Sequence, residues 1–278
     1  MSNRSDDKMS KKQHSREYTA VDQMIISAAR EIKDTDVVYT GVGFPIEAAI
    51  LAKNLHAPHC TIVLQNGIVR SSLCRLPHTT DTMESQLLAE QLTGLFHVNC
   101  MAQAGHLSLG FMGGGQIDRY GNVNDHVVGD YHKPIHRWMG SGGANDLMSF
   151  CKRTIIILEQ SKRRFPDKVD FNTCPGYFDG KPDRRKEAGL PFDNGPVAVI
   201  TNLAAYSFEN REMTVKTVHT GCGITLDKVK EEIGWDIKVA DDLSDTEPPT
   251  DEELRVYHEK IVTERRIMFK RPDKESKK

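Results

Sequence analysis

The sequence predicts an α/β protein with an open, mostly parallel sheet flanked by helices, and two observations predict it. The runs Thr154-Ile155-Ile156-Ile157-Leu158 and Val197-Ala198-Val199-Ile200-Thr201 are apolar without alternation, the pattern of strands covered on both faces. Residues 36–64 read as strand, glycine turn, helix and strand, the opening of a β-α-β unit.

Each element has its own justification. Residues 1–18 are polar and aperiodic, an N-terminal tail. From Thr19 onward, Val21, Met24, Ile25, Ala28, Ala29 and Ile32 fall at helical spacing, and Thr19 stands where a cap belongs. A strand over 36–40 follows, then the turn Gly41-Val42-Gly43, a helix over 45–55 with Pro45 in its first turn, and a strand over 60–64. That strand ends in Gln65-Asn66-Gly67, at the carboxyl edge where open α/β sheets place their ligands. Residues 161–196 are rich in charge, Pro and Gly and have no period, so they predict a long surface excursion, and residues 241–250 a second. A last helix runs from Thr250 to about residue 269, with Leu254, Tyr257 and Ile261 inward and Asp251 and Glu252 in its first turn. Residues 268–278 form a charged tail, which leaves one α/β domain over 19–267.

Composition narrows the function. With 278 residues, 38% hydrophobic and 27% charged, the chain can bury a full core, and collagen-like, low-complexity and disordered classes are excluded. The 37 Lys+Arg against 39 Asp+Glu provide no basic field for nucleic acid, so small-molecule chemistry or protein partners are expected. Six cysteines without a CxxC pair suit a reducing, cytoplasmic setting. No stretch approaches the roughly 18–20 apolar residues of a membrane span, and the N-terminus has no export signal.

The candidate chemistry lies in the turns. Gly41-Val42-Gly43-Phe44-Pro45-Ile46 lacks the third glycine of a dinucleotide fingerprint, yet its N–H groups still face the sheet edge. His126, His132 and His136, with Asp125 and Asp130, match no zinc spacing, so no metal is expected. GxSxG, Walker and HExxH sequences are absent. Gly113-Gly114-Gly115-Gln116, Gly121, Gly129 and Gly140-Ser141-Gly142-Gly143-Ala144 concentrate more glycine than scaffolding needs; such turns present N–H groups to a pyrophosphate or to a thioester oxyanion. Lys162-Arg163-Arg164, just past a strand end, is suited to phosphates or is a solvated basic turn.

Taken together and in order, the segments at 41–45, 64–67, 114–122, 129–134, 140–144 and 162–165 resemble the β subunits of class I CoA-transferases, in particular the glutaconate CoA-transferase type, over about residues 36–240. The resemblance implies the CoA-transferase (NagB/RpiA-type) fold and an active site shared with an α subunit. It also implies an αβ heterodimer assembled into a hetero-oligomer such as α2β2 or larger. It implies further that no cofactor is permanently bound and that coenzyme A enters as the acyl-CoA substrate. In that family a glutamate in a Glu-Asn-Gly or Glu-Ser-Gly turn attacks the acyl-CoA and ends up carrying CoA as a thioester. Here the position is Gln65. A carboxamide, its nitrogen lone pair delocalised, is a very poor nucleophile.

By the same resemblance Gly142 and Gly143 supply N–H groups to the thioester. Asn66, Gly67, Gly41, Gly43, Gln116, Gly140, Ser141, Ala144, Lys162 and Arg163 bind substrate or CoA. Gln65 is compatible with a natural departure from transferase chemistry, a Glu-to-Gln replacement, or an inactive homologue. Similar β subunits of steroid-ring-opening CoA-ester hydrolases also lack the glutamate and rely on a base from the α subunit. The expectation is therefore a β subunit acting on a (di)carboxylic acyl-CoA, with CoA transfer as the family default. Hydrolysis, including C–C ring opening, is the alternative, and a CoA-ester-binding partner without turnover is the third reading.

Overall fold

The computed structural model describes residues 17–69, 76, 77, 79, 80, 82–191 and 195–263. The C-terminal tail, all but Glu17 and Tyr18 of the N-terminal tail, Cys74 and the predicted helix past residue 263 lie outside the described residues.

Thr19 caps the first helix as its spacing predicts: its Oγ accepts the Asp22 N–H at 3.2 Å, and its own N–H donates to the Asp22 carboxylate at 2.7 Å. This box opens α1 (Ala20–Arg30), followed by α2 (Phe44–Asn54), α3 (Met83–Gln86) and α4 (Leu95–Gln103). Later come α5 (Ala144–Phe150), α6 (Arg184–Glu187), α7 (Leu226–Glu231) and α8 (Asp251–Val256). The first strands are β1 (Val37–Thr40), β2 (Thr61–Leu64), β3 (Ile68–Val69), β4 (Gln91–Leu92) and β5 (Leu109–Met112). Two small hairpins follow, β6 (Gln116–Ile117) with β7 (Val123–Asn124) and β8 (Val127–Gly129) with β9 (Pro134–Arg137). The rest are β10 (Arg153–Ile157), β11 (Pro196–Ile200), β12 (Ala204–Glu209), β13 (Glu212–Val218) and β14 (Lys238–Asp245).

The main sheet has the order β14-β13-β12-β11-β10-β5-β1-β2-β3-β4. Its centre, β11-β10-β5-β1-β2, is parallel; β3, β4, β12 and β13 add antiparallel pairings at the margins. From β1 the chain steps outward to β2, then returns to the other side of β1 for β5 and continues away through β10. The direction therefore reverses between β1 and β5, the position at whose carboxyl ends open α/β sheets place their ligands.

Both faces are covered, as the unalternating strands require. Val38, Ile62, Leu64, Ile155 and Ile157 meet α1, α2 and α8 in one core, while Tyr39, Val63, Ile156, Val98 and Leu147 belong to the other, with α4, α5 and α7. Leu254, Tyr257 and Ile261 are buried as predicted, although the helix widens into a π-helical turn over Tyr257–Val262. Tyr18, assigned to the tail, packs against the first core.

Two expectations are refined. Residues 241–245 are not an irregular excursion but the outer half of β14, an edge strand whose charged side chains stand in solvent. Residues 161–196 are largely irregular but anchored, with Phe165, Val169, Cys174 and Arg185 buried.

Between β13 and β14, His219 is 1% exposed, its Nε2–H donating to Thr201 O and its Nδ1 accepting from Thr246 Oγ, both at 2.8 Å. Burial pushes the imidazole down to about 4. The unfolded chain, titrating near about 6.5, then binds the extra proton first. Stability is present above that value and is lost as pH falls towards 4, by roughly 3 kcal/mol at full protonation. Melting curves from pH 7 to pH 4 should show a shallower loss for His219→Gln than for the wild type; superimposable pH dependences would remove His219 as the cause.

Candidate active site

The strand period decides which face Gln65 joins. Along β2, Ile62 and Leu64 enter the first core and Val63 the second, so the next residue, Gln65, falls on Val63's side, together with Tyr39 of the adjacent β1. Gln65 is half-buried. The turn beyond it admits only glycine at position 67: φ is +104°, and a Cβ would stand 2.7 Å from Gly94 Cα. Asn66 Nδ2 donates to Thr80 O and so fastens the turn from outside.

The turn at 140–143 lies over Gln65. The Gly143 N–H donates to Gln65 Oε1 at 3.4 Å across 78 residues of chain, and a Cβ on Gly142 would sit 3.4 Å from the same oxygen. The bond is long, at the weak end of the range, with the oxygen towards Gly143; the amide nitrogen also lies by the turn, 3.7 Å from where a Cβ on Gly142 would be. A Cβ on Gly143 would overlap Tyr39 Oη. That phenol donates to Asn99 Oδ1 at 3.0 Å, and Asn99 Nδ2 donates to Asp146 Oδ2 at 3.3 Å. Burial, reinforced by Cys151 and Asp146, pushes Tyr39 well above the usual phenol range, so it remains a neutral O–H donor. The Tyr39–Asn99–Asp146 chain escapes sequence reading because its members are 60 and 47 residues apart and share no local pattern.

The other predicted residues divide. Thr40 is paired with Leu64, so Gly41 and Gly43 begin level with Gln65, and a Cβ on either would meet nothing within 4 Å: this side of the site is open. Ser141 Oγ bonds its neighbour's carbonyl, Gly142 O, at 3.2 Å, and Ala144 packs against the second core. Gly140 stands against His126, 3.3 Å from where its Cβ would be. Gln116 is buried and engaged: its Oε1 accepts from Asn124 Nδ2 at 2.6 Å and its Nε2 donates to Asp170 at 3.0 Å, tying β6 and β7 to the 170 loop. Arg163 lines a cleft of about 470 Å³ with Gly114 and Gly115, whereas exposed Lys162 stands outside its lining and donates its backbone N–H to Glu232 at 3.1 Å.

A larger cavity, about 680 Å³, contains none of the predicted site residues. Neither Gln65 nor the 140–144 turn lines it; within it Arg119 is paired with Asp167 and Asp118 accepts from Asn122, and we place the site at Gln65 rather than there. Among the described residues, no group of three or more His, Cys, Asp or Glu could hold a metal ion, and no helix is long and apolar enough to cross a membrane.

Large apolar side chains are left in solvent on the segments that flank the Gln65 turn and the 140–143 turn. On the Gly94 side they are Met83, Leu88, Leu92, Leu95 and Phe96, the last 83% exposed. On the Gly140 side they are Ile135 and a fully exposed Met139.

Comparison with known proteins identifies the family and the fold. The coenzyme A transferase family model matches residues 21–232. The B-type subunit of the 3-oxoadipate CoA-transferase of Pseudomonas knackmussii is 36% identical over 240 residues, covering 85% of this chain and 91% of its own. The B-type subunit of the glutaconate CoA-transferase of Acidaminococcus fermentans is 32% identical over 250 residues, 88% of this chain and 92% of its own. The crystal structure of that enzyme superposes with a TM-score of 0.81 at 31% identity, covering 88% of this chain and 95% of the other. The cholesterol ring-cleaving hydrolase IpdB subunit of Rhodococcus jostii is 28% identical over a shorter stretch of 148 residues, 53% of this chain and 57% of its own. A family match across most of the sequence, and a fold shared along nearly all of it, make this chain a member of the coenzyme A transferase family.

Proposed function

We propose that the chain is the β subunit of a heteromeric enzyme that binds a carboxylated acyl-CoA together with an α subunit, and that Gln65 holds the thioester or the attacking water instead of attacking. The observation that carries this reading is the bond from the Gly143 N–H to Gln65 Oε1. With its oxygen so engaged, the carboxamide offers Nε2 as a donor where the family's nucleophile would stand.

Water is then the acceptor. Attack on the thioester carbonyl breaks the C–S bond and gives the free acid and CoA thiol. We assign the proton-accepting base to the α subunit, as the resemblance to the ring-opening hydrolases implies; Asp146, the carboxylate behind Gly143, accepts from Asn99 on Oδ2 and supports the Tyr39–Asn99 chain. The open side at Gly41 and Gly43 and the apolar rim on both flanks of Gln65 are where we place that subunit. A dicarboxylic acyl group is favoured by the names of the two transferases above. CoA transfer is the second reading, supported by the 36% identity to a 3-oxoadipate CoA-transferase chain, and it needs a nucleophile from the α chain.

The test isolates the chain with its co-purifying partner and supplies dicarboxylic acyl-CoA esters, labelled acetate and 18O-water. Heavy oxygen in the released acid is expected. CoA appearing on acetate would replace hydrolysis by transfer, and binding of the ester with neither label moving would make the site non-catalytic.

A further inference from the structure

The turn that meets Gln65 has little stiffness of its own. Three of the four residues over 140–143 are glycine, with φ of +94° at Gly140 and +51° at Gly142, and glycine restrains its own backbone least. Yet one atom of this turn, the Gly143 nitrogen, has to stay on Gln65 Oε1. What holds its aim must therefore come from neighbouring side chains. At one end, Gly140 donates its N–H to Asp125 O at 3.2 Å and stands against the His126 ring. At the other, Gly143 touches two side chains: a Cβ there would lie 2.2 Å from Tyr39 Oη and 3.5 Å from Gln65 Cβ.

Tyr39 is fully buried in the second core, where the ring of a phenylalanine would pack as well; it is the hydroxyl that reaches the turn. The hydroxyl is itself held. It donates to Asn99 Oδ1 at 3.0 Å, and Asn99 Nδ2 donates to Asp146 Oδ2 at 3.3 Å. Asp146 lies in the first turn of α5, the helix whose Leu147 N–H donates to Gly143 O at 3.0 Å. A carboxylate only accepts, so the direction of each bond is fixed from Asp146 back to the phenol, whose proton is directed at Asn99. The three side chains and Gly143 thus close a ring through the start of α5.

We infer that Tyr39 is a positioning residue for this site: closed into that ring by Asn99 and Asp146, its hydroxyl sets Gly143 so that the N–H stays on residue 65. The inference rests on the acyl-CoA reading above and adds what keeps its donor in place. Tyr39 acts through Gly143 and not on the substrate, so its loss moves the rate and not binding. A misplacement of about 1 Å in a site costs about a hundredfold in rate, and a partial loosening of Gly143 is accordingly worth about tenfold.

The experiment compares Tyr39→Phe, Asn99→Leu and the double variant with the wild type in the complex with the α subunit. Tyr206→Phe, which removes the buried hydroxyl that β12 bonds to Gln160, is the control. In whichever reaction the labels report, each single variant should lower kcat about tenfold with KM within about twofold. The double variant should be no slower than either single one, and the control should keep the wild-type kcat. Hydrogen exchange followed by mass spectrometry should quicken at least about tenfold over residues 140–147 in both single variants and stay unchanged over β10 and β11. An unchanged kcat, a raised KM at unchanged kcat, losses that multiply in the double variant, or a control as slow as Tyr39→Phe would overturn the inference. Exchange that is unchanged over 140–147, or faster throughout the chain, overturns it whatever the rates. Where no label moves, the proposed activity fails, and the exchange alone decides whether Tyr39 holds the turn.

Discussion

Gln65→Glu should turn the complex into a CoA-transferase. Glutamate is the same size, so its carboxylate takes the place of the carboxamide and accepts the Gly143 N–H already aimed at Oε1. That bond and the nearby Tyr39–Asn99–Asp146 support are in place before the substitution, so no rearrangement is asked of the backbone. The free carboxylate oxygen then attacks the thioester carbonyl; the C–S bond breaks, the CoA thiolate leaves and an anhydride remains. Return of the thiolate to the glutamyl carbonyl frees the acid and leaves CoA on residue 65 as a thioester, ready for a second carboxylate. A transfer rate at least about two orders of magnitude above that of the Gln65 protein is expected, equivalent to lowering the barrier by nearly 3 kcal/mol. Labelled acetate measures the rate, and the intact mass of the chain after exposure to acyl-CoA detects the adduct. A variant that binds the ester but neither transfers nor carries CoA would show that more than the nucleophile separates this site from a transferase.

The second large effect lies behind the site. Arg185, 5% exposed, donates from Nη1 to Pro175 O and Gly176 O at 2.8 Å and from Nη2 to Met148 O at 3.0 Å and Ser149 O at 3.3 Å. The last two are end carbonyls of α5, the helix that begins at the glycine turn, and end carbonyls have no partner within their own helix. Burial without a carboxylate pushes the guanidinium down to about 10, still charged at neutral pH. Arg185→Met removes that buried charge, a gain, but strands several buried carbonyls at once, a larger loss. The expected net cost is about 3–4 kcal/mol, a fall in Tm of roughly 6–15 °C. Arg185→Lys, which keeps the charge and some of the bonds, should lose about half as much. Thermal melts of the three proteins decide it, and a shift under about 2 °C for Arg185→Met would mean that the carbonyls find other partners.

What can be read in the sequence, and what cannot, divides along physical lines. β10 and β11 are visible because strands buried on both faces cannot hide their apolar runs, and α1 because its capping box is written in neighbouring residues. β14 escapes because edge strands keep polar side chains, so Asp241, Asp242 and Asp245 look like a loop. The β12–β13 hairpin is hidden differently. Its two-residue turn is Asn210-Arg211, both at positive φ, and an arginine there replaces the glycine that usually marks such turns. At the site, residue 65 and the glycine turn are found through the order of short segments, each legible in itself. Tyr39 and Arg185 are not: each acts through contacts with distant chain, and single-residue identities carry no trace of that.

The bare apolar rim also bears on how much of this chain a cell can keep. Phe96 and Met139 facing water are the kind of surface that chaperones and proteases act on, and in solution they drive self-association. With the α subunit on this rim, as proposed above, the unpartnered chain would be the more aggregation-prone form, and expression of the chain alone would be the condition least suited to observing its activity.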